Sequence, residues 1–237
     1  MTGLAAALVV GGMTPLTTID FPGRLAAVVF CQGCPWRCRY CQNAHLLPPT
    51  SNAVLPWGGV LAFLGRRRGL LDGVVFSGGE PTLQEALPDA LAAVRALGFE
   101  TGLHTAGVYP ERLAAVLPLL DWVGIDIKAD RAGYGALTGG GTASGDRAWR
   151  SLEIVLASGV PYEVRTTVHP DLLPPDQLLA LAQDLAELGV ADYALQECVA
   201  GHCLDPDLAT LGGGWRLKPP VTTALAELFP RLRVRAA

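Results

Sequence analysis

The sequence predicts an α/β fold organised on a parallel sheet, and three observations carry that expectation. Short apolar or β-branched runs alternate with segments of helical spacing through most of the chain. Six such runs can be counted, fewer than the eight units of a closed barrel, so an open sheet and a partial barrel both fit. Polar and charged residues gather just after the runs, which is where ligands sit in parallel α/β folds. The chain has 237 residues, half of them hydrophobic, enough to bury a sizeable core as one barrel-like domain or two small ones.

The elements follow in order. Residues 5–10 are an apolar strand candidate, and residues 18–23 are a turn-rich link. The six runs lie at 25–30, 73–76, 99–104, 122–127, 162–168 and 192–195. Leu87, Leu91, Val94 and Leu97 share one helical face in the segment between the second and third. Pro110 suits a first helical position ahead of Leu113, Val116 and Leu119. Leu178, Leu181, Leu185 and Leu188 form a third stripe. Gly139-Gly140-Gly141 and Gly212-Gly213-Gly214 are expected to be mobile loops. Residues 231–235 alternate arginine with apolar residues, as an edge strand with one charged face would.

Net charge is −4, so the basic footprint of a nucleic-acid binder is absent. The run Arg66-Arg67-Arg68 reads as a solvated helix end. No apolar stretch of about 18 residues offers a membrane span. Residues 4–10 lack the basic leader of a signal peptide, so a cytoplasmic location is expected, where thiols stay reduced.

Four of the six cysteines fall between positions 31 and 41. In a reducing compartment that clustering points to metal rather than disulfides. Cys34, Cys38 and Cys41 can converge on one small centre, and soft thiolates favour zinc or iron–sulfur. A second Cys-x2-Cys knuckle at zinc-ribbon spacing is missing, and the spacing differs from that of ferredoxin loops. Cys31 has two readings, a spare ligand or a small residue finishing the first strand. Cys198 and Cys203 read as incidental thiols, with a second metal site or a radical-quenching thiol as the other possibilities.

The loop Cys34-x3-Cys38-x-Tyr40-Cys41, following a first strand, resembles the radical S-adenosylmethionine superfamily. The resemblance implies a partial (β/α)6 TIM-like barrel with the cluster loop after the first barrel strand. It forms one domain over residues 1–237, with an N-terminal extension (1–24), the barrel (25–200) and a C-terminal extension (201–237). It further implies a [4Fe–4S] cluster held by Cys34, Cys38 and Cys41, whose open iron binds S-adenosylmethionine, with aromatic Tyr40 beside it. Gly78-Gly79-Glu80, after Ser77, resembles the motif that holds the cosubstrate ammonium group. Asp126 and Lys128 share a face and resemble the Asp-x-Lys pair of glycyl-radical-enzyme activases, which binds the cosubstrate and positions the radical. Their alternative is a surface ion pair. Thr105-Ala106-Gly107 resembles the family's Thr-Asn-Gly. His104 stands where the activases often carry an acid of a cation site, so it is either a neutral donor or a satisfied core histidine. Glu163, Arg165, Thr167 and His169 alternate with Val164, Thr166 and Val168, giving one polar face. Arg165 resembles an arginine facing the methionine carboxylate. His169 either reaches the ribose or caps the helix that follows Pro170.

Residues 17–23, 28–34 and 41–43 resemble activating enzymes of anaerobic ribonucleoside-triphosphate reductase. The implied partners are that glycyl-radical enzyme and a flavodoxin or ferredoxin as electron donor. A pyruvate formate-lyase activase, a small-molecule enzyme such as a carboxy-deazaguanine synthase, and a non-enzymatic zinc or electron carrier are the alternatives.

Overall fold

The computed structural model describes residues 8–199, 201, 203–210 and 217–236. One eight-stranded sheet organises them. β1 (Val10–Thr17) runs antiparallel to β2 (Ala26–Cys31). From β2 onward neighbours pair in parallel and in chain order: β3 (Gly73–Gly78), β4 (Glu100–Thr105), β5 (Trp122–Asp126), β6 (Tyr162–Val168), β7 (Asp192–Glu197) and β8 (Arg231–Arg235). β1 and β8 are the two edges and do not pair, so the sheet curls without closing. The crossovers contain helices α1 (Trp57–Gly65), α2 (Leu87–Ala96), α3 (Pro110–Val116), α4 (Tyr134–Thr138), α5 (Ser144–Ser158), α6 (Pro175–Glu187) and α7 (Pro219–Leu228).

All six expected runs form strands, with ends within two residues of those read from the sequence. The helical stripes bury as expected: Leu87, Leu91 and Val94 of α2, and Leu178, Leu181 and Leu185 of α6. Each such leucine or valine contributes about 1.5–3 kcal/mol by leaving water. Pro110 occupies the first position of α3, where its missing N–H costs no bond. Leu188 falls just past α6 and is exposed.

Three expectations need correction or a limit. The first strand lies at Val10–Thr17 rather than at 5–10, of which residues 5–7 lie outside the described residues. Its Pro15 is tolerated because β1 is an edge and its ladder is already irregular between Thr14 and Thr17. In Gly139-Gly140-Gly141 the middle residue is packed while Gly139 and Gly141 are exposed. Gly139 ends α4 in the left-handed region at φ 62°, and a Cβ on Gly140 would strike the Trp36 indole nitrogen. Gly212-Gly213-Gly214 lies outside the described residues. Both expected extensions contribute a strand, β1 from the first and β8 from the second.

The main core lies between sheet and helices. The inner face is filled differently. The link after β1 tucks Phe21 under the barrel, stacked on Trp122 at 5.8 Å and packed with Ala26, Val28 and Val75. Gly73 and Gly102 make room for it, since a Cβ on Gly73 would meet the Phe21 ring at 2.8 Å. Phe21 is therefore a floor. Above it, the C-terminal strand ends surround a cavity of about 380 Å³ lined from β3 through β8.

Candidate active site

The loop after β2 is held by main-chain hydrogen bonds on several sides. Gly33 N–H donates to Leu46 O (2.7 Å) and Cys34 N–H to Leu47 O (3.1 Å). Arg37 N–H donates to Thr138 O (2.7 Å) and Arg39 N–H to Leu137 O (3.1 Å), which seats the loop on α4. Trp36 adds an edge-on contact with Tyr134 of the same helix at 5.6 Å. A turn from Cys41 N–H to Cys38 O (2.9 Å) folds the last two cysteines together. Cys34, Cys38 and Cys41 are half-buried and all line the cavity. Burial pushes the Cys34 thiol up to about 12, with Glu80 adding to it, and burial raises Cys38 against the pull of Lys128. Cys31 is wholly buried in the core at the end of β2 and does not reach the cavity, as a strand-finishing residue would.

Gly78 and Gly79 end β3 against this loop. Gly78 has φ 112°, and a Cβ there would meet Cys31 N at 2.5 Å. A Cβ on Gly79 would strike Gly33 O. The glycines thus let the cysteine loop lie on the strand end while their own backbone faces the cavity. Glu80 departs from the expected cosubstrate contact. Its carboxylate is fully buried and does not line the cavity. It accepts bonds from Thr82 N–H (3.0 Å), Thr82 Oγ1 (2.6 Å), Thr105 Oγ1 (2.8 Å) and Ala106 N–H (2.8 Å). Burial raises its pKa while these four donors oppose the rise. Glu80 is a brace joining the ends of β3 and β4, and Thr105 lines the cavity from that brace.

Across the cavity the side chains are charged. Asp126 accepts from Lys128 Nζ (3.2 Å) through one oxygen and from Arg165 Nε (3.0 Å) through the other. Burial alone would raise the Asp126 pKa, but the two cations outweigh it and hold it at about 2. Burial works against the Lys128 ammonium, and Asp126 more than compensates, so its pKa rises. Tyr134 positions this pair by accepting from Lys128 N–H (2.9 Å) and donating to Asp126 O (3.2 Å). Lys128 also lies over the Tyr40 ring at 5.6 Å. One short helix, α4, therefore supports both the cysteine loop and the Asp126–Lys128 turn. No local sequence signal reveals that, because it depends on chain-distant packing.

The two candidate histidines are both engaged. His104 Nε2 lies 2.8 Å from Asp20 O, so that nitrogen carries the proton, and Nδ1 accepts from Ser77 Oγ at 3.3 Å. Burial lowers its pKa to about 3, so the ring is neutral and satisfied. His169 is withdrawn from the cavity, against the expectation of a ribose contact. β6 stops at Val168 and the chain turns, Leu172 and Leu173 N–H donating to His169 O. The ring is buried, with Nε2 at 3.2 Å from Leu208 O and Nδ1 accepting from Asp171 N–H.

The alternating arginines of β8 turn inward. Arg233 and Arg235 both reach Glu163 Oε2, at 2.6 and 2.9 Å, and Arg235 lines the cavity. The period-two spacing of Arg231, Arg233 and Arg235 shows the charged face in the sequence. Only the parallel pairing of β8 with β7 shows which way it looks.

The donor set fits an iron–sulfur cluster. Three thiols of one loop face one cavity, Tyr40 Oη is buried there without a hydrogen-bond partner among the described residues, and glycine backbone lines the opposite lip. Among the described residues no three His, Cys, Asp or Glu side chains converge on a single-ion site. A cube of iron and sulfur is gripped at separate corners, so its ligands need not meet at one point.

The model of the radical SAM superfamily matches residues 28–185, more than half of the chain. The chain is 26% identical over 221 residues, 85% of each protein, to a provisionally named glycyl-radical enzyme activating enzyme of Methanocaldococcus jannaschii. It is 35% identical over 160 residues to the pyruvate formate-lyase-activating enzyme of Clostridium pasteurianum, covering 65% of this chain and 66% of that one. Among solved structures, Streptococcus suis SuiB bound to its precursor peptide SuiA superposes with a TM-score of 0.66 at 13% identity. That match covers 88% of this chain, which spans about half (48%) of the SuiB chain. A domain of a pyruvate-formate lyase-activating enzyme from Bacteroides vulgatus gives a TM-score of 0.52 at 18% identity, covering 70% and 98%. These structures share the fold. Among the described residues no helix is long and apolar enough to cross a membrane.

Proposed function

The chain belongs to the radical SAM superfamily, and from that premise we propose that it is an activating enzyme whose target is anaerobic ribonucleoside-triphosphate reductase. The superfamily's cofactors are a [4Fe–4S] cluster and S-adenosylmethionine, and when bound the reduced cluster supplies one electron that splits S-adenosylmethionine into methionine and a 5′-deoxyadenosyl radical. The protein's part is to bind, orient and exclude water. Cys34, Cys38 and Cys41 would hold the cluster. The backbone of Gly78 and Gly79, with Ser77, would receive the ammonium group, and the Arg165 fork suits the carboxylate. Asp126 and Lys128 would fix the rest of the cosubstrate, with Tyr40 and Thr105 as walls.

The observation that carries this reading is that three cysteines of one loop face the same cavity as Gly78, Gly79, Asp126, Lys128 and Arg165. Its activase component is supported by the 26% identity over 85% of both chains to the archaeal relative. The unpaired edges β1 and β8 leave the barrel open at one side, as a substrate that is itself a protein loop requires. The target is drawn from residues 17–23, 28–34 and 41–43, and the setting from the cytoplasm, where a flavodoxin or ferredoxin would supply the electron. A second reading, pyruvate formate-lyase as target, is favoured by the 35% identity to the clostridial activase.

Anaerobically reconstituted protein, S-adenosylmethionine and a reductant, mixed with each candidate in turn, test both. A glycine-centred spin-resonance signal on the ribonucleotide reductase alone supports the first reading. The same signal on pyruvate formate-lyase alone replaces it with the second. Release of 5′-deoxyadenosine with neither target radicalised would remove the activase assignment.

A further inference from the structure

Cys198 and Cys203 lie outside the machinery described above. Their Sγ atoms are 3.5 Å apart, both are free thiols, and Cys203 is the more exposed. They begin a strap that crosses the cysteine loop. Asp205 N–H donates to Arg39 O (2.9 Å), and the Arg39 guanidinium returns a 2.7 Å bond to Asp205 Oδ2. Cys198 and Leu208 pack in one apolar cluster with Tyr40. Val199, between the two thiols, lines the cavity. The pair thus sits at the foot of a segment that walls the site.

We propose that Cys198 and Cys203 form a redox-active dithiol that closes to a disulfide by exchange with a low-molecular-weight disulfide, fixing the strap on the cysteine loop. The thiolate of Cys203 attacks one sulfur of the small disulfide and expels the other half as a thiol. Cys198 then attacks the Cys203 sulfur and expels the second half. One S–S bond forms in the protein as one breaks in the reagent. Two electrons pass to the reagent, and the two S–H protons end on the expelled thiols. Neither cysteine is among the three cluster ligands, so closure leaves the cluster intact.

The test equilibrates the cluster-loaded protein, without oxygen, in glutathione buffers of graded redox ratio. Acid quenching, alkylation and tryptic mapping follow. The peptide from Thr166 to Arg216 contains Cys198 and Cys203 and no other cysteine, so an unalkylated form lighter by two hydrogens reports their disulfide without ambiguity. The closed fraction should rise from one-tenth to nine-tenths over an about 80-fold increase in disulfide over squared thiol. Cys203→Ser should abolish the closed form and leave a single alkylated cysteine in that peptide. The proposal is overturned if the peptide stays doubly alkylated at every ratio, if either thiol pairs with a cysteine of another peptide, or if zinc, retained through reconstitution, is what shields the pair.

Discussion

Strands β2–β5 and β6–β8 curve around one interior and fill it by opposite chemistry. The first group turns Ala26, Val28, Val75 and Trp122 inward and closes on Phe21 from below. To the site above it contributes mostly main chain, hydroxyl and thiol, with a loop hung on backbone hydrogen bonds and two glycines that let it lie close, and its last strand ends in Asp126 at the seam with the second group. The second group turns Glu163, Arg165 and Asp192 inward, and β8 answers with Arg231, Arg233 and Arg235. Its location at the open edge explains the choice. Arg233 keeps 45% of its side chain exposed, so the arginines of β8 keep part of their water while the Glu163 carboxylate they share is buried. A soft metal centre needs fixed geometry and dry walls, whereas a charged cosubstrate needs preorganised ions, and the two halves divide those tasks.

The division can be broken from either side. Cys38→Ala strikes the first half hardest: a cluster gripped by two thiolates is easily lost, so iron content after reconstitution should fall to background and 5′-deoxyadenosine release should cease. Retention of about four irons would refute the ligand assignment. Phe21→Ala removes the floor and should cost about 3–5 kcal/mol in denaturant unfolding. A cost below about 1 kcal/mol would mean that the apolar half does not depend on its plug. At the seam of the two halves, where β5 pairs with β6, Asp126→Ala leaves Lys128 and Arg165 facing each other. It should weaken cosubstrate binding at least about tenfold while iron content stays unchanged. Because the folded pKa of Asp126 is depressed to about 2, its stabilising charge is fully present above its ordinary value of 3.8 and is lost only as pH falls toward 2. Binding titrations between pH 5 and 8 should therefore show no inflection from this group.

Much of this was legible in the residues and some of it was not. The cysteine spacing, the polar strand ends and the period-two faces are local patterns, and they place the loop, the Asp126–Lys128 pair and Arg165 at one cavity. Glu80 misleads because a motif names a residue without saying where its carboxylate turns. Four nearby donors draw it into the wall. His169 misleads because alternation is extrapolated one residue past the strand end. Tyr134 is missed because no spacing pattern says that its hydroxyl folds back on the nearby Asp126–Lys128 turn, and the direction of Arg235 depends on Glu163, far away in the chain.

Two smaller effects sharpen the contrast. Glu163→Gln removes the carboxylate shared by Arg233 and Arg235. Since both arginines keep access to water, thermal or denaturant unfolding should register about 1 kcal/mol, less at high salt. A loss as large as that for Phe21→Ala would erase the distinction between the halves. The smallest effect belongs to Cys31→Ser, which should retain iron and cleavage. Loss of the cluster there would make Cys31 a ligand.

The imidazole of His104 gives the rim a direction. Its one proton points down to the Asp20 carbonyl, so Ser77 must spend its only hydrogen on the ring's bare nitrogen. What that hydroxyl presents upward is a pair of electron lobes and nothing to give. A guest arriving with hydrogens to share is welcomed at Ser77, and one arriving with oxygens alone is turned toward Arg165.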